Sequence, residues 1–174
     1  METVLISIIC IALMVFGGMT MSQGFMASVD TSTMGLNEIE QMTEAIMRTE
    51  LTPISAVISI VPGPDPLDIV LENTGQTKIA DFDKWDVIVQ YYDNSDDYQV
   101  EWLPYNEDGA DTNEWGVVWI MLDGAPEVFE PDVLNPGEQI MIRTYLSPRA
   151  GAGYTNMVAI STPGGVTSST YFTR

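Results

Sequence analysis

Histidine is absent from this 174-residue chain, cysteine occurs once, and only 6 Lys and Arg stand against 25 Asp and Glu. Each shortage closes a class of function. Without His there is no Ser-His-Asp or Cys-His nucleophile and no imidazole metal ligand. Cys10 permits no disulfide within the chain, and its place in an apolar run reads as packing. The formal charge of −19 argues against nucleic acid and against anionic lipid surfaces as partners. It favours solubility, repulsion between copies and loose cation binding. No GxSxG, no phosphate-cradling GxxxxGK and no dinucleotide fingerprint occurs. Asn-x-Ser/Thr is missing too, so N-glycosylation by that route is not expected. Carboxylates suffice in number for a two-carboxylate glycosidase, but they cluster in loops, where a solvated face is the default reading. No enzyme is expected and no cofactor.

Charge is also missing locally. Before Asp30 the only ionisable side chains are Glu2 and Cys10, and Thr3–Val29 is apolar or small-polar throughout. Secretory signal, membrane anchor and assembly helix compete for this run. A signal peptide needs a basic n-region, and the first Lys or Arg is Arg48. The stretch is long enough to cross a bilayer at ~20 residues per span, although no flanking basic residue sets its orientation.

The helical pattern extends past the apolar part. From Asp30 to Glu50, Met34, Ile39, Met42, Ile46 and Met47 fall near a 3.6-residue period, with Asn37, Glu38, Gln41 and Glu44 between them. Glu44 and Arg48 form a favourable i,i+4 pair, whereas Glu40 and Glu44 repel. Asp30 or Ser32 is placed to restart the helix after a kink, and Pro53 closes the pattern. A continuous Thr3–Glu50 helix would run roughly 70 Å at 1.5 Å per residue. Gly17, Gly24 and Gly35 return to nearly one face, a row of missing side chains that lets other helices approach.

After Pro53 the period changes to that of strands. The expected strands are Ile54–Val61, Asp68–Glu72, Trp85–Tyr92, Tyr98–Leu103, Trp115–Leu122, Gln139–Leu146, Tyr154–Ser161 and Val166–Phe172. Turns are marked by Pro62–Pro66, Asn73-Thr74-Gly75, Asn135-Pro136-Gly137 and Pro163-Gly164-Gly165. In Trp85–Tyr92, the residues Trp85, Val87, Val89 and Tyr91 share one face. Trp115–Leu122 is apolar on both faces and is expected to be central or covered twice. The fold class is therefore α+β: residues 1–52 a long N-terminal apolar α-helix, residues 53–174 an all-β sandwich of Greek-key or Ig-like type. Tyr92, Trp102 and Tyr105 are read as sandwich core, with subunit contact as the second reading.

Two acidic tips carry the only metal chemistry in view. Asn106, Asp108 and Asp111 offer alternating oxygen ligands beside Gly109, as calcium loops do, but without EF-hand spacing or its terminal Glu. Asp93, Asn94, Asp96 and Asp97 form the second tip.

The segments VLISIICIALMVFGGMTMSQGF, ENTGQTKIADFDKWDVIVQYYD, LNPGEQIMIRTYLSP and MVAISTPGGVTSSTYF together resemble the archaellins, the filament subunits of the archaeal swimming organelle. Type IV pilins share the apolar helix but carry an α/β head, which this chain does not show. The resemblance implies a helical extracellular filament with Glu2, Val4, Leu5, Ile8, Ile9, Ile11, Ala12, Val15, Phe16, Gly17, Met19, Gly24 and Gly35 in its core. It implies β-domains as an acidic outer sheath, and self, membrane and a secretion or assembly machine as partners. Before assembly the subunit would rest in the cytoplasmic membrane. The family's precursors carry a short basic leader; none stands here, which under the resemblance makes Met1 the mature terminus. Pilins also carry Glu at the fifth mature position, where this chain has Leu5 and Ile6 and keeps its acid at Glu2. The rival expectations are a membrane-anchored minor archaellin-like accessory protein holding a cell-envelope partner, and a non-rotary adhesive pilus subunit.

Overall fold

The computed structural model describes the backbone of residues 2–174, and the side chains of these except residues 2–4, 27, 30–32, 37, 38, 41 and 45. The chain divides into two units, Met1–Thr43 and Glu44–Arg174. One α-helix, α1, spans Glu2–Arg48. It passes through Asp30–Ser32 without the expected break. No proline precedes Pro53, and an isolated glycine costs a helix only about 1 kcal/mol. The hydroxyls of Thr33 and Thr43 donate to the carbonyls of Val29 and Ile39, one turn back.

The second unit is an antiparallel sandwich. One sheet has the order β1 (Leu51–Ile58), β2 (Pro66–Asn73), β7 (Gln139–Tyr145), β5 (Trp115–Leu122), β6 (Ala125–Pro126). The other has β4 (Tyr98–Leu103), β3 (Asp86–Tyr92), β8 (Thr155–Ser161), β9 (Thr167–Thr173). Both contribute to one core. Leu67, Ile69 and Leu71 of β2 and Ile140 and Ile142 of β7 meet Val87, Val89 and Tyr91 of β3 and Val158 and Ile160 of β8. Every second residue of these strands is apolar, and a strand sends alternate side chains to opposite faces. The core is therefore the direct product of the alternation.

The first strand starts three residues earlier than expected and contains Pro53. It is an edge strand, where a residue without N–H is tolerated. A register shift between Pro53 and Ser55 leaves Ile54 as an extra residue on this edge. In β5 a second shift, between Val117 and Trp119, inverts the parity of the strand. Ile120 turns into the core, while Val118 and Leu122 stay exposed. The strand lies inside its sheet, between β7 and β6, and its outer face is covered only in part: Gly116 is buried against Gly109 and Ala110, while Trp119 and Met121 beyond the shift are half-buried.

Polar ties close the ends of the sandwich. Asp65, buried in the β1–β2 turn, accepts from Arg174 Nε at 2.7 Å, Arg149 Nη2 at 2.7 Å and the Val61 N–H at 3.3 Å. Arg149 also donates to the carbonyls of Val61 and Gly63, and Arg174 to the Asn94 side chain. One carboxylate therefore joins the β1–β2 turn, the β3–β4 tip, the β7–β8 connection and the C-terminal residue. At the opposite end, Gln76 N–H caps the Arg48 carbonyl at 2.7 Å, and the N–H groups of Thr74 and Gly75 bind the Glu50 carbonyl. A Cβ on Gly75 would lie 2.5 Å from Glu50 N, which is why the turn needs glycine there.

Two consequences are measurable. Burial pushes the Asp65 pKa up, but the Arg174 and Val61 hydrogen bonds and the Arg174 and Arg149 charges outweigh it, leaving the value below the ordinary 3.8. Its contribution to stability is complete above that ordinary value and is lost as pH falls through the lowered one. Asp65→Asn leaves Arg174 without its carboxylate, so chemical unfolding should show a loss of about 3–5 kcal/mol at neutral pH, shrinking in acid. Gly75→Val should cost about 1–3 kcal/mol by overpacking in the same assay.

Candidate functional site

The apolar helix supplies the first candidate. Leu5–Met26, 22 residues with mean hydropathy 2.2, is long and apolar enough to span a membrane, and none of it is buried within the chain. Leu5, Ile8, Ile9, Ile11, Ala12, Val15, Phe16, Gly17, Met19 and Gly24 are all exposed, and Gly35 is half-exposed. Glu2 and Val4 lie outside the described side chains. A Cβ added at Gly17, Gly24 or Gly35 would meet nothing within 4 Å. The Thr20 hydroxyl donates to the Phe16 and Gly17 carbonyls at 3.1 and 3.0 Å. With that hydroxyl and the helical backbone satisfied internally, the segment suits a medium that offers no hydrogen bonds.

The second candidate is the outer face of the four-stranded sheet. Register places Trp102 beside Ile88, Val100 beside Gln90 and Tyr98 beside Tyr92. The rows continue through Ala159 and Met157 of β8 to Ser169 and Tyr171 of β9. Trp102 and Val100 are each 58% exposed and Tyr171 67%. The reading of Tyr92 and Trp102 as core is corrected here. They sit on the parity opposite to Tyr91 and Leu103, and among the described residues of the second unit no strand forms a third layer over this face. Tyr105 is half-buried, its ring centroid 4.8 Å from that of Trp115.

The aromatic rings on this face are held. Trp102 Nε1 donates to Asp86 at 2.9 Å and the Tyr98 hydroxyl to Gln90 at 2.9 Å, each a diagonal partner on β3. Tyr154 donates to Asp96 at 2.8 Å and stacks on Tyr92 at 4.8 Å, and Tyr92 meets Tyr98 at 5.2 Å. Fixed rings lose little freedom when a partner covers them, so this face can form the centre of a protein interface. Inside, burial first, and then the charges of Glu101 and Asp93, push the Tyr91 hydroxyl up to about 12. That group donates to the Pro148 carbonyl and serves packing, not chemistry.

The acidic tips have local work. Asn106 Oδ1 accepts from Asp108 N–H and its amide donates to Glu114, while Asp111 accepts from Thr112 N–H. Asp93 is buried and binds the N–H groups of Ser95 and Asp97 and the amide of Gln99. Burial raises the Asp93 pKa, but those hydrogen bonds outweigh it and leave it lowered. Among the described residues no three His, Cys, Asp or Glu side chains gather to hold a metal ion. Sequence reading missed the Asp65 junction altogether. Its only trace was an acid between prolines at Pro64-Asp65-Pro66.

The two faces of β3 and β4 should respond differently to charge. Val100→Lys, on the outer face, should change stability by no more than about 0.5 kcal/mol. Val89→Lys, fully buried on the inner face, should leave no folded domain, as read by urea unfolding of the full chain in detergent.

No family model matches the sequence, and a search of curated proteins finds no match. Solved structures do share the fold. The archaellum periplasmic stator protein complex FlaF and FlaG from Sulfolobus acidocaldarius aligns with TM-score 0.51 at 23% identity, covering 71% of this chain and 89% of that one. The archaellum periplasmic stator protein FlaG from the same organism aligns with TM-score 0.50 at 23% identity, covering 71% and 99%. The chain is thus an N-terminal apolar helix followed by a β-sandwich of the kind seen in these stator proteins.

Proposed function

We propose that this chain is a membrane-tethered, non-catalytic component of an archaeal swimming organelle, of stator rather than filament type. Leu5–Met26 lies in the cytoplasmic membrane. The acidic sandwich lies outside it and holds a protein of the organelle or the envelope through the aromatic face of β3, β4, β8 and β9. The observation that carries the reading is the pairing of a bare membrane-length helix with a sandwich whose solved counterparts are stator proteins. It favours the accessory role over the archaellin role, because the exposed helix is equally suited to lipid and to a filament core, while the sandwich is matched by stator structures. One of those structures is a complex of two different proteins, which supports partnership over self-polymerisation. The exposed Trp and Tyr side chains are the residue types that carry most binding energy at protein interfaces.

Shearing and fractionation of producing cells test this. The chain should stay with the membranes and be absent from the sheared filaments. Phe16→Asp, which places a charge inside the span at a cost of about 2.5–3.5 kcal/mol, should reduce membrane retention severalfold while leaving the β-domain folded. Recovery of the chain in thin helical filaments, with residues 3–50 in their core, would overturn the stator reading and restore the archaellin one.

A further inference from the structure

The β-domain carries a trough of mixed polar and apolar lining away from the aromatic face just described. It occupies about 460 Å³ beside β5, floored by Tyr105, Val117, Trp119 and Pro126 and rimmed by Glu107 and Asp132. A second hollow of about 530 Å³ shares Tyr105, Glu107 and Asp132 and adds Asp83. The trough follows β5 across its parity inversion: Val117 packs against the core, as Tyr105 does, whereas Trp119 pairs with Met141 after the shift. The loop from Pro126 to Pro131 extends the apolar surface, with Phe129 94% exposed. Glu127 fixes that loop by accepting the N–H groups of Val128, Phe129 and Glu130.

Charge decides what fits. Asp81 and Glu130 nearby are paired with Lys84 and Lys78 at 2.8 and 2.6 Å. Glu107 and Asp132 have no cation or hydrogen-bond donor among the described residues. Burial first, and then the fields of Glu107, Asp132 and Asp83, raise the Tyr105 hydroxyl's pKa above its usual value. The carboxylates are not gathered as a metal site is, so the counter-charge they match is an organic cation with an apolar stem. A second copy of this chain has none to spare. Each of the 6 Lys and Arg residues is already in an ion pair: Arg48 with Glu44, Lys78 with Glu130, Lys84 with Asp81, Arg143 with Asp68, and Arg149 and Arg174 with Asp65.

We infer that this trough receives a basic segment of a different protein, its arginine or lysine heads set against Glu107 and Asp132 and its stems laid on Tyr105 and Trp119. Planar guanidinium groups stack on aromatic rings, which favours arginine.

The experiment uses the full chain in detergent micelles at physiological salt. The probe is a short synthetic peptide in which arginines alternate with leucines; the control peptide carries glutamates in place of the arginines. Binding is followed by nuclear magnetic resonance shifts and by sedimentation. The arginine peptide should bind with its shifts centred on Tyr105 and Trp119, and the glutamate peptide should not. Glu107→Gln with Asp132→Asn should weaken binding at least tenfold. Asp97→Asn with Glu101→Gln, an equal loss of charge on the other sheet, should weaken it less than twofold. Equal weakening by both pairs would reduce the effect to the diffuse field of an acidic protein and overturn the site. Absence of binding would overturn it too, as would peptide-free self-association that covers Tyr105 and Trp119. None of these outcomes depends on whether the chain is found in membranes or filaments.

Discussion

Water must be removed from two separate surfaces of this chain, and only one of them is covered by the chain itself. The inner faces of the sandwich bury each other. Leu5–Met26 has no such cover. A largely apolar stretch of 22 residues exposed to water would cost far more than the few kcal/mol by which a domain is stable. The segment therefore resides in lipid or among other helices, and every functional reading inherits that condition.

The sandwich is stabilised mainly by burial, and the pairings that join its hairpins are non-local. Strand β2 pairs with β7, and β3 with β8, so long loops must close before apolar contact rewards them. The Asp65 junction answers that problem at one end of the domain. Four segments distant in sequence meet at one buried carboxylate, and an unpaired charge there would be costly enough to exclude alternative closures. The Gly75 turn does the same at the other end, closing against the backbone of residues 48–50.

What the domain shows to solvent is unequal. Acids are spread over its loops, and the basic residues are all committed to ion pairs. Against that background the apolar and aromatic outer faces of β4 and β5 stand out. Monomeric domains rarely keep large contiguous apolar patches exposed without a use. An apolar helix without cover and an acidic domain with an exposed aromatic face are what the proposed tethered role draws on.

The amino-acid sequence by itself determined a helix long and apolar enough to cross a membrane, because a long run nearly free of charge is not stable facing water. It also determined the β-class and most strand bounds. Tyr98–Leu103 and Trp115–Leu122 coincide with β4 and β5, and the inward set Trp85, Val87, Val89 and Tyr91 is buried as the alternation requires. Tertiary structure alone decided the rest. Alternation says that Trp102 and Leu103 face opposite ways, but not which side has a second layer; the packing of the two sheets assigns water to Trp102. The parity of β5 depends on one extra residue at Val118, and only pairing with β7 reveals it. The partners of Asp65 lie 84 and 109 residues away. Local patterns carry the period of a strand and the polarity of a turn. They carry no information about which distant charge will arrive, because that is set by sheet order and by the closure of the whole core.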